Sequence, residues 1–510
     1  MKRDALPAEP EALKDLVMNN YQRAEMYKYK YDCMVRRYFG HSSEKIKDPA
    51  GQQLLFELPA APEKPEPVSD CATRNEAPKR RGGGRQKLPP ELERKRVEHT
   101  LPESERKCSC CGEAMQPFGE ETSEQLEYIP ASLFVIEHAR IKYACKACQE
   151  KHAIAPAPDK VIDKGLAGPG LLAWVAVSKF ADHLPLYRQE DIFARHGLEI
   201  ARSTQCAWLG QVAALLEPLY LKMAAEIKLS SKLHTDDTPI EVLEPGRGKT
   251  RQARFWVYVG DDAHPYTVFD YTPSRKRDGP EIFLKGFKGY LQADAYTGYD
   301  RLCAGPHVIE VACWAHARRK FFESTDTDAQ ALDVLSLIAE MYAVEALARP
   351  ILEEARQKTG AQRAATLAQA YALRLQLRQL HSQPILERIR VWLNARSLDT
   401  LPKSPIGSAV QYTRNQWTAL CRFMQDGRLE IDNNIAENAL RPIALGRKNY
   451  LFLGNDKGGR RAAILYSLIR TCKQHGINPW EYLRDVLTRI STHPAKDIAL
   501  LLPGNWKPPP

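Results

Sequence analysis

The sequence lacks any apolar run long enough to cross a membrane. Its most apolar segments, such as 170–181, are much shorter than the roughly 20 residues that a membrane-spanning helix needs. The first residues, Met1 to Asp4, lead into prolines and acids, with no apolar stretch of the kind found in secretory leaders. We therefore expect a soluble, cytoplasmic protein.

An acidic surplus is also missing. The 510 residues include 73 Lys and Arg against 63 Asp and Glu, which gives a net charge of +10. Apolar residues make up 44%, enough for hydrophobic cores and too many for a disordered chain. At about 100–200 residues per domain, the length predicts three to five domains. The basic surplus favours a polyanionic partner, although ordinary soluble proteins also carry such a charge.

The twelve cysteines do not have the pattern of a disulfide-rich secreted protein, because several are clustered in close pairs. Cys108 and Cys111 form one pair, and Cys145 and Cys148 form another after 33 intervening residues. Four such thiolates predict one structural Zn2+ in a module spanning 107–155, with a hairpin over 127–144. A site with four cysteine ligands leaves no open coordination position for catalysis. Cys110 is a spare thiol beside the first pair, and His138 is an alternative ligand. Cysteines that bind no metal are the remaining alternative.

Residues 1–46 are predicted to form an N-terminal helix, with a heptad seam over 11–39 that favours a short coiled coil. A single amphipathic helix packed on its own chain remains the alternative. Residues 47–106 are rich in proline and glycine and are predicted to be a linker. Its basic run, which includes Arg80, Arg81 and Arg85, is suited to DNA phosphates, although a solvated linker has a similar composition.

Residues 165–228 are predicted to be helical. The segments 191–196 and 203–210, joined by a turn at Gly197, have the proportions of a helix-turn-helix. Arg202, Ser203 and Gln205 would then stand where base-reading side chains usually lie. An ordinary helical pair is the alternative.

Three acidic groups follow predicted strands or lie on a late helix. Asp236 and Asp237 end the first strand, Asp294 follows the fourth, and Glu437 lies on a short helix that Pro442 is expected to end or kink. A single Asp after a strand is most often a turn former. Three together indicate a site for hard divalent cations, which prefer oxygen ligands and serve phosphodiester chemistry in pairs.

Long motifs in the chain resemble the transposases of the insertion sequence 66 family. The resemblance is carried by His234–Leu243, Leu291–Tyr299, Cys313–Phe321 and Asp432–Asp456. The segment His183–Arg195, the cysteine pairs, residues 11–45 and residues 465–503 are also similar to regions of that family, so the resemblance covers nearly the whole chain.

The resemblance implies an α+β multidomain protein with a ribonuclease-H-like core, a mixed sheet with helices, over 229–460. A helical insertion would occupy about 322–425, and a C-terminal helical element 464–503. Asp236, Asp294 and Glu437 would form an Asp-Asp-Glu triad holding two Mg2+ or Mn2+ ions. Asp237 competes with Asp236 as the first acid. Bases near the triad are candidate DNA contacts or a solvated face: Arg318, Arg319, Arg441, Arg447 and Lys448.

The implied function is a nucleoid-associated DNA transposase that binds terminal inverted repeats, cleaves DNA and joins 3′ ends to target DNA. Pairing two ends requires at least a homodimer, and accessory proteins of the same element are possible partners. Two alternatives stay open. One is an inactive DNA-binding regulator derived from a transposase, and the other is a metal-dependent nuclease that does not join strands.

Overall fold

The computed structural model describes residues 133–136, 142–144, 152–154, 160–162, 165–244, 246 and 248–508, with 142–144 and 152–154 described by their backbone. The chain divides into two compact units, 59–156 and the remainder. The helix expected over 11–39, the basic run of the linker and the four paired cysteines lie outside the described residues.

In the smaller unit, two short strands form an antiparallel pair. Strand β1 (Lys142–Ala144) pairs with β2 (His152–Ile154). Most of the hairpin expected over 127–144 lies outside the described residues. Within that segment, 133–136 is exposed and not strand, and β1 pairs with the strand that follows it.

In the described part of the larger unit, the first elements are three helices: α1 (Pro169–Phe180), α2 (Leu186–Arg195) and α3 (Arg202–Ile227). Gly197, whose φ of 75° is costly for residues with a side chain, lies in the turn after α2. The second helix was expected over 203–210, but in the structure these residues are only the first part of the 26-residue helix α3. The buried face of α3, with Leu209, Val212 and Leu216, explains why it continues, since packing outweighs the cost of Pro218 within it.

A six-stranded mixed sheet forms the centre of this unit. Its strands are β3 (Lys232–Leu243), β4 (Thr250–Val259), β5 (Thr267–Thr272), β6 (Gly289–Gln292), β7 (Val308–Val311) and β8 (Phe452–Leu453). Their order is β5-β4-β3-β6-β7, and β8 also pairs with β3. Strand β4 pairs in antiparallel fashion with both β5 and β3. Strand β3 pairs in parallel with β6 and β8, and β6 pairs in parallel with β7.

Two short helices accompany the parallel strands, α4 (Asp278–Phe283) and α5 (Asp300–Cys303). A second hydrophobic core then forms around α6 (Trp314–Ser324) and the helices that follow it. These are α7 (Ala331–Leu347), α8 (Arg349–Gln357), α9 (Gly360–Leu377), α10 (Gln383–Asp399), α11 (Pro405–Asn415) and α12 (Trp417–Cys421). One turn of π-helix, Arg378–Ser382, joins α9 to α10.

Three helices complete the unit: α13 (Asn434–Tyr450), α14 (Asp456–Gln474) and α15 (Pro479–Arg489). Of the two effects expected of Pro442, ending or kinking the helix that carries Glu437, the first is wrong, since α13 continues for two further turns with Ile443 buried on the sheet. Helix α14 covers the outer edge of β5, where Ser467 and Thr471 accept hydrogen bonds from strand N–H groups. These contacts satisfy donors that an edge strand would otherwise leave open.

The predicted α+β class with a mixed sheet is confirmed. Among the described residues, no helix combines the length and apolarity needed to span a bilayer.

Candidate active site

Two of the predicted acids follow the point where the pairing of β3 and β6 ends. The parallel pairs run from Lys232 and Tyr290 to His234 and Gln292. Asp236 lies two residues further along β3, within the strand and not at its end as the sequence predicted. Asp294 lies two residues beyond Gln292, just after β6 ends.

The charges of the three predicted acids act on one another. Burial raises the pKa of Asp236 well above its ordinary value, and the negative charges of Asp294 and Glu437 raise it further. A hydrogen bond from the Asp237 N–H to Asp236 Oδ1, at 2.7 Å, opposes this shift only in part. Burial likewise raises the pKa of Asp294. Asp236, Asp294 and Glu437 therefore share one electrostatic environment, here called the acidic site.

An unpaired stretch of β3 explains how Glu437 reaches this site. On the side of β3 that faces away from β4, β6 pairs as far as His234, and β8 begins its pairing at Glu241. Helix α13 spans the interval: Asn433 Nδ2, at its start, donates to the Thr235 carbonyl at 2.8 Å, and Arg447, near its end, donates to Thr238 Oγ1 at 2.8 Å. Glu437 lies in the first turn of α13, where the helix dipole favours a carboxylate.

Buried polar contacts of Asn433 fix the start of α13 against the residues around it. The Asn433 N–H donates to Cys313 Sγ at 3.2 Å, and Asn433 Oδ1 lies 3.2 Å from His234 Nδ1. Burial and then the charge of Lys232 lower the pKa of His234 to about 3, so this imidazole is neutral at pH 7. These contacts place Asn433 between the strand that carries Asp236 and the helix that carries Glu437.

His316 lies beside Glu437. Its Nδ1 atom is 3.9 Å from Glu437 Oε1, and it belongs to the first turn of α6. Burial and the positive charges of Arg319 and Lys320 lower the pKa of His316 to about 4. The imidazole is therefore neutral at pH 7.

Asp237, the competing first acid, has different neighbours from Asp236. It accepts hydrogen bonds from Arg254 NH1 at 3.0 Å and from Arg275 Nε and NH2 at 3.0 and 2.8 Å. Burial raises the pKa of Asp237, and the hydrogen bonds and charges of the two arginines partly offset that rise. Arg275 also approaches Asp294 Oδ2 at 3.8 Å, and its guanidinium lies over the Tyr296 ring. The carboxylate of Asp237 is therefore already paired with two arginine side chains, Arg254 and Arg275.

The predicted DNA contacts lie in varied surroundings. Arg202 and Ser203 are exposed at the start of α3, and Arg202 lies 3.2 Å from Glu190. Gln205 requires correction as a base-reading residue, because it is fully buried and donates to the Ile200 carbonyl at 3.0 Å. Arg80, Arg81 and Arg85 lie outside the described residues.

The remaining predicted contacts lie on the two helices beside the acidic site. Arg318 and Arg319, on α6, are half-buried, as is Arg441 on α13, whereas Lys448 is exposed. Arg447 donates hydrogen bonds to Thr238 Oγ1 and to the Pro239 carbonyl of β3, and so links α13 to the sheet.

Sequence reasoning missed Arg254 and Arg275. A charged residue in the apolar run from Ala253 to Val259 is an available signal for Arg254, since a buried strand accepts a charge only with a partner. Arg275 is exposed and stands in a basic loop, so nothing local distinguishes it before the fold brings it to Asp237.

The donor set of the acidic site fits hard divalent cations. Three carboxylates supply oxygen ligands, the type that Mg2+ and Mn2+ prefer. Their mutual repulsion, expressed in the raised pKa of Asp236, would be relieved by positive charge. Carboxylates that hold a pair of divalent cations are typical of enzymes that transfer phosphoryl groups.

Comparison with known proteins identifies the family. The model described as "Transposase IS66 family" matches residues 164–461, and the chain belongs to this family. Three further models match the "zinc-finger binding domain of transposase IS66" at 105–149, the "IS66 C-terminal element" at 467–503 and the "Transposase C of IS166 homeodomain" at 27–97. The resemblance noted from the sequence motifs is thereby confirmed.

Similar chains occur in Sinorhizobium fredii (strain NBRC 101917 / NGR234). "Uncharacterized protein y4jD" is 37% identical over 422 residues, which cover 80% of this chain and 79% of the relative. "Uncharacterized protein y4hP" is 34% identical over 442 residues, 83% of this chain and 77% of the relative. These relatives align with most of this chain, and their names state no activity.

Proposed function

We propose that this protein is a DNA transposase that cleaves DNA at the ends of its own element and joins the 3′ ends to target DNA. The observation that carries the proposal is the shared electrostatic environment of Asp236, Asp294 and Glu437 within a chain of the IS66 transposase family. Asp236 and Asp294 are 58 positions apart along the chain, and Asp294 and Glu437 are 143 positions apart. The charges of Asp294 and Glu437 nevertheless raise the pKa of Asp236.

In this proposal, Asp236, Asp294 and Glu437 hold two divalent cations, Mg2+ or Mn2+. Bound there, the cations would activate a water or a DNA 3′ hydroxyl as the nucleophile and would stabilise the negative charge on the phosphate. Asp236 is preferred over Asp237 as the first acid, because Asp237 is neutralised by Arg254 and Arg275. Asn433 and Arg447 keep α13, and with it Glu437, against β3.

The sheet supports a ribonuclease-H-like catalytic core over 229–460. Three antiparallel strands followed by parallel strands, in the order β5-β4-β3-β6-β7, put the first acid on the central strand and the second after its neighbour. Helices α7 to α12 would be the insertion over about 322–425. We propose that the four-cysteine module over 107–155 binds one Zn2+ and, with the linker arginines and the start of α3, contacts the element ends.

DNA strands at the acidic site would meet basic side chains of two helices. Arg318 and Arg319 on α6, and Arg441 and Lys448 on α13, are the proposed phosphate contacts. Such contacts orient a strand without reading its sequence. Two active sites acting on two ends imply at least a dimer, for which the 11–39 segment is the proposed interface.

A plasmid carrying the gene's flanking DNA tests the proposal. Purified full-length protein is incubated with Mg2+ or Mn2+, alongside Asp294→Asn and the matched control Asp300→Asn, whose carboxylate is exposed on α5. Nicking at discrete flanking sites, absent from Asp294→Asn and retained by the control, is the expected result. Joined products identify a transposase, whereas nicks without joining identify a nuclease. Binding without metal-dependent cleavage would favour a regulator and contradict the proposal.

A further inference from the structure

Three metal-binding side chains meet where α6 and α13 begin. Cys313 directly precedes α6, His316 lies in its first turn, and Glu437 lies in the first turn of α13. One ligand atom from each lies within 4.8 Å of the other two. Among the described residues, no other trio of Cys, His, Asp or Glu meets this condition. Cys313 and His316 are not needed by the carboxylate triad.

The separation of His316 and Glu437 is too long for a direct hydrogen bond and is compatible with a metal ion between them. The His316 Nδ1 atom is 3.9 Å from Glu437 Oε1, which is too far for a hydrogen bond. Two ligands bound at about 2.0–2.2 Å to one ion can lie up to about 4.4 Å apart, so the observed separation is compatible with a shared cation. His316 Nδ1 is also buried with no hydrogen-bond partner in the described structure, an uncommon state for a buried polar atom.

Cys313 has a different task. Its thiol is fully buried, and its sulfur already accepts the hydrogen bond from the Asn433 N–H that holds the start of α13. A soft sulfur ligand would also exclude the hard cations that the carboxylates prefer. Cys313 therefore supports Glu437 through Asn433, and the trio reduces to one nitrogen and one oxygen ligand.

We propose that His316 Nδ1 is a direct ligand of the cation held by Glu437, and that this position therefore prefers a transition metal such as Mn2+ to Mg2+. The inference rests on the proposed role of Glu437 as a metal ligand. Mg2+ takes oxygen ligands almost exclusively, whereas transition-metal ions accept imidazole nitrogen together with carboxylate. The site would thus be asymmetric, with one all-oxygen position at Asp236 and Asp294 and one mixed position at His316.

Electron paramagnetic resonance of bound Mn2+ tests this ligand directly. Zinc-replete full-length protein is titrated with Mn2+, and spin-echo modulation reports whether a 14N nucleus is bound to the ion. We expect 14N coupling in the wild type and its loss in His316→Gln, which replaces the imidazole with an amide. Mn2+ affinity should fall at least about tenfold, because even residues that only orient metal ligands contribute about 10–100-fold. Mg2+ affinity, measured by competition, should change much less.

Two further variants separate the outcomes. His307→Gln removes an exposed imidazole that lies just before β7 and should behave as wild type. Glu437→Gln should lose the Mn2+ ion with the 14N signal altogether. Mn2+ that binds through Glu437 but shows no 14N coupling would overturn the His316 inference and leave the proposed function intact. Mn2+ binding that is unaffected by Glu437→Gln would contradict the proposed function as well.

Discussion

Asp236 and Asp237 are chain neighbours whose carboxylates face opposite electrostatic surroundings. Asp236 is grouped with two other carboxylates, so its ionised form is disfavoured until a cation arrives. Asp237 has a side chain that is 2% exposed and is paired with Arg254 and Arg275. A buried carboxylate between two guanidinium groups is a structural ion pair, whereas one among like charges is a cation site.

Asn substitutions should separate these two roles. Asp236→Asn removes a repulsive charge, so we expect unchanged or higher thermal stability without metal and loss of the Tm increase on adding Mn2+. Asp237→Asn leaves Arg254 without its buried partner and should lower the free energy of unfolding by about 3 kcal/mol. Its Mn2+-dependent Tm increase should remain. Differential scanning calorimetry with and without Mn2+ measures both quantities, and the reverse pattern would assign the first acid to Asp237.

The sequence indicated the candidate acids but not the arginines that pair with Asp237, for a physical reason. Asp236 and Asp294 could be predicted because each stands at or after a strand whose pattern is local. The pairing of Asp237 with Arg275 spans 38 positions and depends on how β5 continues into its loop. Gln205 was misjudged because the first turn of a helix does not reveal which face the rest of that helix will bury.

At the scale of elements, two arginines on successive turns connect the helical region to the segment that leads to Glu437. Arg378, fully buried in the π-helical turn, donates to both carboxylate oxygens of Glu345 at 2.6 and 2.8 Å. It also donates to the carbonyls of Phe423, Asp426 and Leu429. Arg374, one turn earlier, donates to the Gly427 carbonyl and to Glu430. The irregular chain before α13 therefore depends on helices α7 and α9 for its hydrogen bonds.

Replacing Arg378 should be costly. Arg378→Met keeps an apolar stem but leaves Glu345 and three backbone carbonyls without their donor. We expect a loss of about 3–5 kcal/mol in the free energy of unfolding. Arg388→Met is the control, because Arg388 and its partner Glu340 are 49% and 35% exposed, and such pairs contribute at most about 1 kcal/mol. Urea unfolding monitored by circular dichroism makes the comparison, and equal losses in both variants would contradict this account.

Glu430 should make stability depend on pH. It pairs with Arg374 at 2.8 Å and with Lys232 at 3.4 Å, and despite its burial these charges hold the pKa of Glu430 well below its ordinary value. A carboxyl with a lowered folded-state pKa binds fewer protons than in the unfolded chain. Its stabilisation is therefore complete above about pH 4.5 and is lost as the pH falls further, by up to about 1.4 kcal/mol per pH unit.

Glu430→Gln should remove this dependence. Unfolding free energies measured between pH 3.5 and 6 should show a shallower slope at the acidic end than in the wild type. The variant should also be less stable at pH 6, where the ion pairs of Glu430 are lost. Glu387→Gln, which removes an exposed carboxylate on α10, serves as the control and should keep the wild-type slope. An unchanged slope in Glu430→Gln would show that other groups cause the acid sensitivity.

The sequence predicted the presence of most strands and helices better than the residues at which they end. Strands β3 to β7 follow apolar periodicities that are visible in the sequence. The passage of α13 through Pro442 was not predictable, because burial of Leu440 and Ile443 against the sheet outweighs a local helix-breaking preference. The two-residue strand β8 carries no pattern of its own, and its pairing with Glu241 and Val242 exists only because α13 returns the chain to β3.

At the scale of the whole molecule, the two proposed metal functions belong to different parts of the chain. The acidic site lies in the larger unit, whereas Cys108, Cys111, Cys145 and Cys148 all fall within 59–156, the smaller one. A small zinc module has too little core to fold without its metal, and zinc binding supplies about 10–16 kcal/mol in comparable modules. The larger unit has two extensive hydrophobic cores of its own. Loss of zinc should therefore affect the two units very differently.

The double variant Cys145→Ser/Cys148→Ser tests this division without a chelator that would also remove Mg2+ or Mn2+. We expect it to bind no structural zinc and to bind DNA more weakly. The thermal transition of the larger unit, and its Tm increase with Mn2+, should stay at wild-type values because the acidic site and both cores remain intact. Asp294→Asn is the converse control: it should keep its zinc, measured by atomic absorption, and lose the Mn2+ effect. A Cys variant whose main transition falls together with its zinc would mean that the catalytic unit depends on the zinc module for its stability, and the two metal sites would then form one cooperative system.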